Sequence, residues 1–119
     1  MFHVLVVDDD KNIRYVMKEI LETAHYTVFV AENGEKAFDV LEKEHVDIVI
    51  VDIMMPLMDG YEFTRELRRF NSEIPILMVS AKQLPEDRKK GFVYGIDDFM
   101  SKPIDTEELL LHVKALLRR

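Results

Sequence analysis

The sequence predicts an α/β fold, a parallel sheet of five strands with helices on both faces. Three observations carry this. Runs rich in Val and Ile alternate five times with stretches whose apolar residues recur at helical spacing. The central strand runs are nearly continuous in apolar residues, as strands covered on both faces are. The 119 residues, 48% apolar and 33% charged, fit one globular domain able to bury roughly two-thirds of the surface its unfolded chain exposes.

The elements follow in order. "HVLVVD" (3–8) reads as a buried strand. Asp10 can cap a helix to about Ala24, with Ile13, Val16, Met17, Ile20 and Leu21 as its apolar stripe. "TVFVA" (27–31) is a strand, "ENG" turns the chain, and Ala37, Val40 and Leu41 mark a second helix. "VDIVIVD" (46–52) is the most continuous apolar strand. A loop with Pro56 and Asp59-Gly60 leads to a helix ending near Phe70. "PILMVSA" (75–81) is the fourth strand. Leu84 to Tyr94 reads as a helix with Pro85 in its first turn, and interior Gly91, costing about 1 kcal/mol against Ala, makes it the least secure of the five. Gly95 ends it. "DDFMSK" (97–102) is a short last strand, and the capping-box pattern "DTEE" (105–108) opens a helix carrying Leu109, Leu110, Val113, Leu116 and Leu117.

In open parallel sheets, ligands sit at the carboxyl ends of the strands. Here those ends bring together Asp8 and Asp9, Asp52, Ser80 and Lys102. Two unit charges 4 Å apart repel by about 4 kcal/mol near a protein surface. Three clustered carboxylates are therefore tolerable around a hard cation such as Mg²⁺, which prefers oxygen ligands and is held by one or two carboxylates plus phosphate oxygens. Lys102 can neutralise part of the cluster and bind a phosphoryl oxygen, and Ser80 can donate a hydrogen bond. This is a set of parts for phosphoryl transfer to an acyl oxygen. Other residues have plainer readings. Asp10 is a helix cap, and Met54, Met55 and Met58 are loop packing. His3, His25, His45 and His112 lack metal-ligand spacing and read as surface or strand-edge residues. "DRKK" (87–90) reads as a solvated helix face.

At these residues the chain resembles the receiver domain of two-component response regulators, through "LVVDD", "VDIMMPLMDG", "ILMVSA" and "DDFMSKP" in the expected order and spacing. The resemblance spans about residues 2 to 119 and implies the flavodoxin-like (βα)5 fold, doubly wound, with strand order 2-1-3-4-5. It implies that Asp52 is the phosphoacceptor, charged by the phosphohistidine of a sensor histidine kinase. Asp9, Asp52 and the Met54 backbone carbonyl would bind Mg²⁺ (or Mn²⁺), with Asp8 acting through water. Lys102 and the Ala81 N–H would contact the phosphoryl group, and the Lys102–Pro103 peptide would be cis. Ser80 and Phe99 occupy the switch positions: phosphorylation would draw Ser80 toward the phosphate and let Phe99 turn inward. That would bias the face built from the fourth helix, fifth strand and fifth helix.

The ending "HVKALLRR" resembles the receiver–linker boundary of the OmpR/PhoB-like, winged-helix regulators. The resemblance implies a receiver over 1–119, a C-terminal DNA-binding domain absent from this chain, and a homodimer of the phosphorylated form. Lys90 and Glu108 fit one pair of the family's dimer face, although Glu108 also belongs to the capping box. A second pair would join Asp98 to an Arg, but His112 stands there, without the charge or fork geometry of Arg when neutral. Phe99 lacks a Tyr hydroxyl, and Ile96 and Ile104 replace the family's frequent Ala and Phe. Met54 offers no polar group to orient an attacking water and Lys82 could shield the phosphoryl group, so slow self-dephosphorylation is expected.

Bulk properties exclude other classes. The net charge of −7 disfavours direct DNA binding by this chain, which would reach DNA only through the further domain. With no cysteine there is no disulfide framework or thiolate nucleophile, and no apolar run approaches the ~20 residues of a membrane span, so a cytoplasmic place is expected. A receiver that works alone through protein–protein contact is the alternative function. An aspartyl-phosphate phosphohydrolase would commonly carry a second Asp at the position of Met54. A flavin protein needs a donor-rich phosphate loop where "DDDKN" stands, and no Walker-type loop is present. The expected role is thus signalling, not enzymatic turnover.

Overall fold

Runs of Val, Ile and Leu form the strands because branched side chains fit a pleated surface covered on both sides. The computed structural model describes residues 1–82 and 84–119. Its elements are β1 (His3–Val7), α1 (Lys11–Thr23), β2 (Thr27–Ala31), α2 (Gly34–Lys43), β3 (Ile48–Val51), α3 (Gly60–Phe70), β4 (Ile76–Ser80), α4 (Pro85–Tyr94), β5 (Asp98–Ser101) and α5 (Thr106–Leu117). The sheet is parallel throughout, in the order β2-β1-β3-β4-β5, the expected flavodoxin-like arrangement.

Alternation along each strand divides the core in two. Leu5, Val7, Val49, Val51, Ile76 and Met78 face α2, α3 and α4, packing with Phe63 and Leu67. Val4, Val6, Ile48, Ile50, Leu77 and Val79 face α1 and α5, packing with Met17, Leu21, Leu109, Val113 and Leu116. Val16, expected in the α1 stripe, is exposed: the apolar stripe is wider than the face the sheet covers.

Strands β1, β3, β4 and β5 are shorter than their apolar runs. The residues just past three of them still donate one backbone bond to the neighbouring strand: Asp8 N–H to Ala31 O (3.1 Å), Asp52 N–H to Val7 O (3.0 Å) and Lys102 N–H to Ser80 O (2.8 Å). These last rungs fix where the charged side chains leave the sheet.

Helix ends follow their caps. The Asp10, Asn33, Asp59 and Asp105 side chains accept from first-turn N–H groups. At α5 the expected capping box is only half made. Asp105 accepts from Glu107 N–H, while Glu108 turns to His112 instead. Helix α4 has no side-chain cap, and Gly95 ends it at φ +120°. Gly91 has a packing reason, since a Cβ there would meet Ile96 Cδ1 at 2.5 Å.

Candidate functional site

Strands β1 and β3 are central neighbours, and the chain reverses its winding between them, so the acids that follow them share one crevice. One carboxylate oxygen from each of Asp8, Asp9 and Asp52 lies within 4.8 Å of the others. Asp8 is fully buried and Asp52 is 6% exposed, whereas Asp9 is open to solvent. Lys102 enters from the end of β5, its Nζ 3.0 Å from Asp8 Oδ2 and 3.1 Å from Asp52 Oδ2. The Lys102–Pro103 peptide that follows is cis. Asp8 Oδ1 accepts from Asp10 N–H (2.9 Å). Asp52 Oδ1 is buried and, among the described residues, has no hydrogen-bond partner.

The electrostatics follow from that geometry. Burial pushes the Asp8 carboxyl above its ordinary 3.8 and the charge of Asp52 adds to this, against the pull of the Asp10 N–H and Lys102. Burial alone would lower the Lys102 ammonium. Its hydrogen bond to Asp8 and the charges of Asp52 and Asp8 outweigh burial and hold it above 10.5. Three carboxylates face one ammonium, all donors nearby are hard oxygens, and one buried oxygen lacks a partner. The pocket fits a divalent hard cation.

Ser80, at the end of β4, is buried, and its Oγ accepts from Lys82 N–H (3.2 Å). Ala81 follows in the exposed loop. Phe99 is 6% exposed and packed into the α2–α3–α4 side of the core, with the Arg88 guanidinium 5.3 Å over its ring. Of the loop methionines, Met55 is buried and Met58 packs on the core, but Met54 is 60% exposed and packs on little.

The residues expected on one interaction face separate into two groups. His112 Nδ1 lies 2.5 Å from Asp98 Oδ2, and its Nε2 lies 3.8 Å from Glu108 Oε1, so these three gather within the chain. Lys90 does not join them. Its ammonium sits 4.5 Å over the Tyr61 ring and 5.8 Å from that of Tyr94, on the side of α4 that faces α3.

Two further residues support the site, although the sequence does not single them out for it. Gly60 opens α3 against the Asp52 peptide, where a Cβ would come within 2.3 Å of the Asp52 carbonyl oxygen. In the sequence the Asp59-Gly60 pair after β3 shows itself as a turn signal and as the end of "VDIMMPLMDG". Arg14 Nη1 donates to the Asp8 carbonyl at 2.7 Å. An Arg one helical turn past the capping Asp10 was the available clue.

Residues 4–114 match the model of the response regulator receiver domain. The chain is 40% identical over its whole length to the heme response regulator HssR of Staphylococcus aureus, of which it covers 53%. It therefore spans about half the length of the curated relatives it matches. Among solved structures, the chemotaxis protein CheY4 of Vibrio cholerae superposes with a TM-score of 0.94 at 33% identity, over 98% of each chain. The receiver domain of the Francisella response regulator 1452 does so with a TM-score of 0.93, also at 33% identity, over all of this chain and 98% of that one. Fold, strand-end chemistry and sequence agree, and the chain belongs to the response regulator receiver domains, the signalling modules of two-component systems.

Proposed function

We propose that the chain accepts a phosphoryl group on Asp52 from the phosphohistidine of a sensor histidine kinase, with Mg²⁺ held by Asp8, Asp9, Asp52 and the Met54 carbonyl. The observation that carries this is the state of Asp52. One of its oxygens is held by Lys102, and the other is buried and unmatched among the described residues, beside two further carboxylates. A carboxylate so placed is short of positive charge on the side where a cation and a phosphoryl group would enter.

In the transfer, an Asp52 oxygen forms a bond to phosphorus as the P–N bond of phosphohistidine breaks, and the electron pair leaves with the imidazole. Lys102 stands on Asp52 and can exchange that contact for one to a phosphoryl oxygen. Ser80 Oγ accepts from Lys82 N–H, which leaves its own hydroxyl hydrogen to donate to the phosphoryl group, as does the Ala81 N–H. A bound Mg²⁺ would supply the remaining neutralisation of carboxylate and phosphoryl charge.

The output reading is that the α4–β5–α5 face reports phosphorylation through Ser80 and Phe99, drives homodimerisation, and controls transcription through a DNA-binding domain outside this chain, in the OmpR/PhoB manner. Exposed Phe92 and Val93 on α4 and Leu111 on α5, elements of that face, support an interaction there. The greater length of HssR, a heme response regulator, supports a further domain. The second reading is a receiver that acts alone through protein–protein contact, supported by the likeness to a chemotaxis protein, CheY4, at 33% identity. A reading frame that continues past Arg119 into a winged helix would favour the first. Among the described residues no helix is long and apolar enough to cross a membrane, and we place the module in the cytoplasm.

The test is intact mass after incubation with acetyl phosphate, with and without Mg²⁺. The native chain should gain one phosphoryl group only with the metal, and Asp52→Asn should gain none. Equal labelling of both chains would refute the assignment of Asp52.

A further inference from the structure

We infer that Arg14 is a positioning residue for the cation site, fixing the peptide between Asp8 and Asp9 and thereby aiming the Asp9 carboxylate. The inference rests on the metal reading above and adds a residue to it.

The loop between β1 and α1 is tied almost everywhere. The Asp8 side chain is held by Asp10 N–H and Lys102. The Asp10 side chain accepts from Asn12 N–H (2.8 Å) and Ile13 N–H (3.3 Å). Asp9 is the exception. Among the described residues its carboxylate makes no hydrogen bond or ion pair, so its direction is set by its own backbone. The peptide after Asp9 is held by the Asp10 N–H bond to Asp8. The peptide before it is held through the Asp8 carbonyl, and the acceptor of that bond faces Arg14 Nη1 at 2.7 Å. Rotation of this peptide changes φ of Asp9 and swings the carboxylate away from Asp8 and Asp52.

Charge alone gives no reason for Arg14 to be there. A cation in the first turns of a helix opposes the helix dipole, and a positive side chain beside a cation site opposes the cation. Among the described residues Arg14 makes no ion pair with any carboxylate. Arg14 is half-buried and its guanidinium is spent on a carbonyl, a short charge-assisted bond that holds geometry. Residues that orient metal ligands in this way typically change metal affinity by about 10–100-fold when removed.

The test is a Mg²⁺ titration followed by the amide NMR shifts of residues 8–10, on the native chain, Arg14→Lys, Arg14→Met and Asp9→Asn. Positioning predicts roughly tenfold or greater weakening in both Arg14 variants, including Arg14→Lys, which keeps the charge, with metal-free thermal unfolding little changed. Tighter binding by Arg14→Met with unchanged binding by Arg14→Lys would make Arg14 a mere repulsive charge and overturn the inference. So would native affinity in both. If Arg14→Met does not fold, the Arg14→Lys titration decides. Native binding that is lost in Asp9→Asn but kept in the Arg14 variants sinks this inference alone. Native shifts that survive Asp9→Asn sink the metal reading and this inference with it.

Discussion

Aspartates stand at both ends of the same sheet, and their surroundings differ. At the amino end, Asp47 Oδ2 accepts from His3 N–H and Oδ1 faces His45 Nε2, each at 2.7 Å. Asp97 Oδ2 accepts from Ile76 N–H (2.8 Å) and from Arg68 Nη2 (2.9 Å). The same Arg68 holds the carbonyls of Ile74, Gly95 and Asn71, tying the end of α3 to β4 and to the turn before β5. At the carboxyl end, Asp8 and Asp52 share one lysine, and one Asp52 oxygen has no partner among the described residues. The protonation tendencies run in opposite directions. Burial would raise Asp47, but the His3 N–H and the His45 ring outweigh it and hold the carboxyl below 3.8. Burial raises Asp8. The amino-end acids are matched by donors from neighbouring elements and tie the sheet edge, whereas the buried carboxyl-end acids share one ammonium and are left short of positive charge.

That difference can be broken at either end. The largest effect is expected at Arg68. Arg68→Met leaves Asp97 and three carbonyls short of a donor and should destabilise by about 3 kcal/mol, read from urea unfolding. A loss below about 1 kcal/mol would show that water replaces the network at little cost.

Asp47→Asn should cost about 1 kcal/mol at pH 7. Because the folded carboxyl is lowered, its contribution is complete above 3.8 and is lost as pH falls through the lower folded value. The gap between native and variant in urea midpoints should therefore shrink on acidification below 3.8 and hold steady above it. A gap that widens in acid contradicts the assignment.

Asp8→Asn should act with the opposite sign and the smallest size. A raised carboxyl costs stability once pH has risen through the unfolded and then the folded value, so at pH 7 the metal-free native chain carries the whole cost. The variant should be slightly more stable in EDTA, and Mg²⁺ should reverse the order by stabilising the native chain more. A variant less stable than native in EDTA would mean that the bond from Lys102 outweighs the burial of charge.

The carboxyl end was legible in the sequence because it follows from where apolar runs stop. Asp8, Asp52, Ser80 and Lys102 each close a run, and strand order does the rest. The amino end was not. His3, His45 and Asp47 meet only after β1 and β3 pair, so three residues read as surface or strand end form one bonded cluster, with the His3 and His45 rings 5.7 Å apart. Within one chain the Lys90 ammonium lies over the rings of Tyr61 and Tyr94, a contact that depends on how α3 and α4 cross and that no periodicity reveals. Gly91 costs α4 helix propensity, and the structure adds what the sequence does not show, that Ile96 packs into the space a Cβ would take. Periodicity and run ends locate what a strand presents. They do not reveal which distant side chains will meet there.

The central claim is that Asp52, whose one buried oxygen has no partner among the described residues, is the reactive acid. Borohydride reduces an acyl phosphate and converts the modified aspartate to homoserine. The most direct measurement is to trap the acetyl-phosphate-treated, Mg²⁺-loaded chain this way and map homoserine by peptide mass spectrometry. The account predicts conversion at Asp52 alone, with Asp47 and Asp97 untouched. Conversion at Asp8, at Asp9 or at either amino-end aspartate, with Asp52 intact, would contradict it.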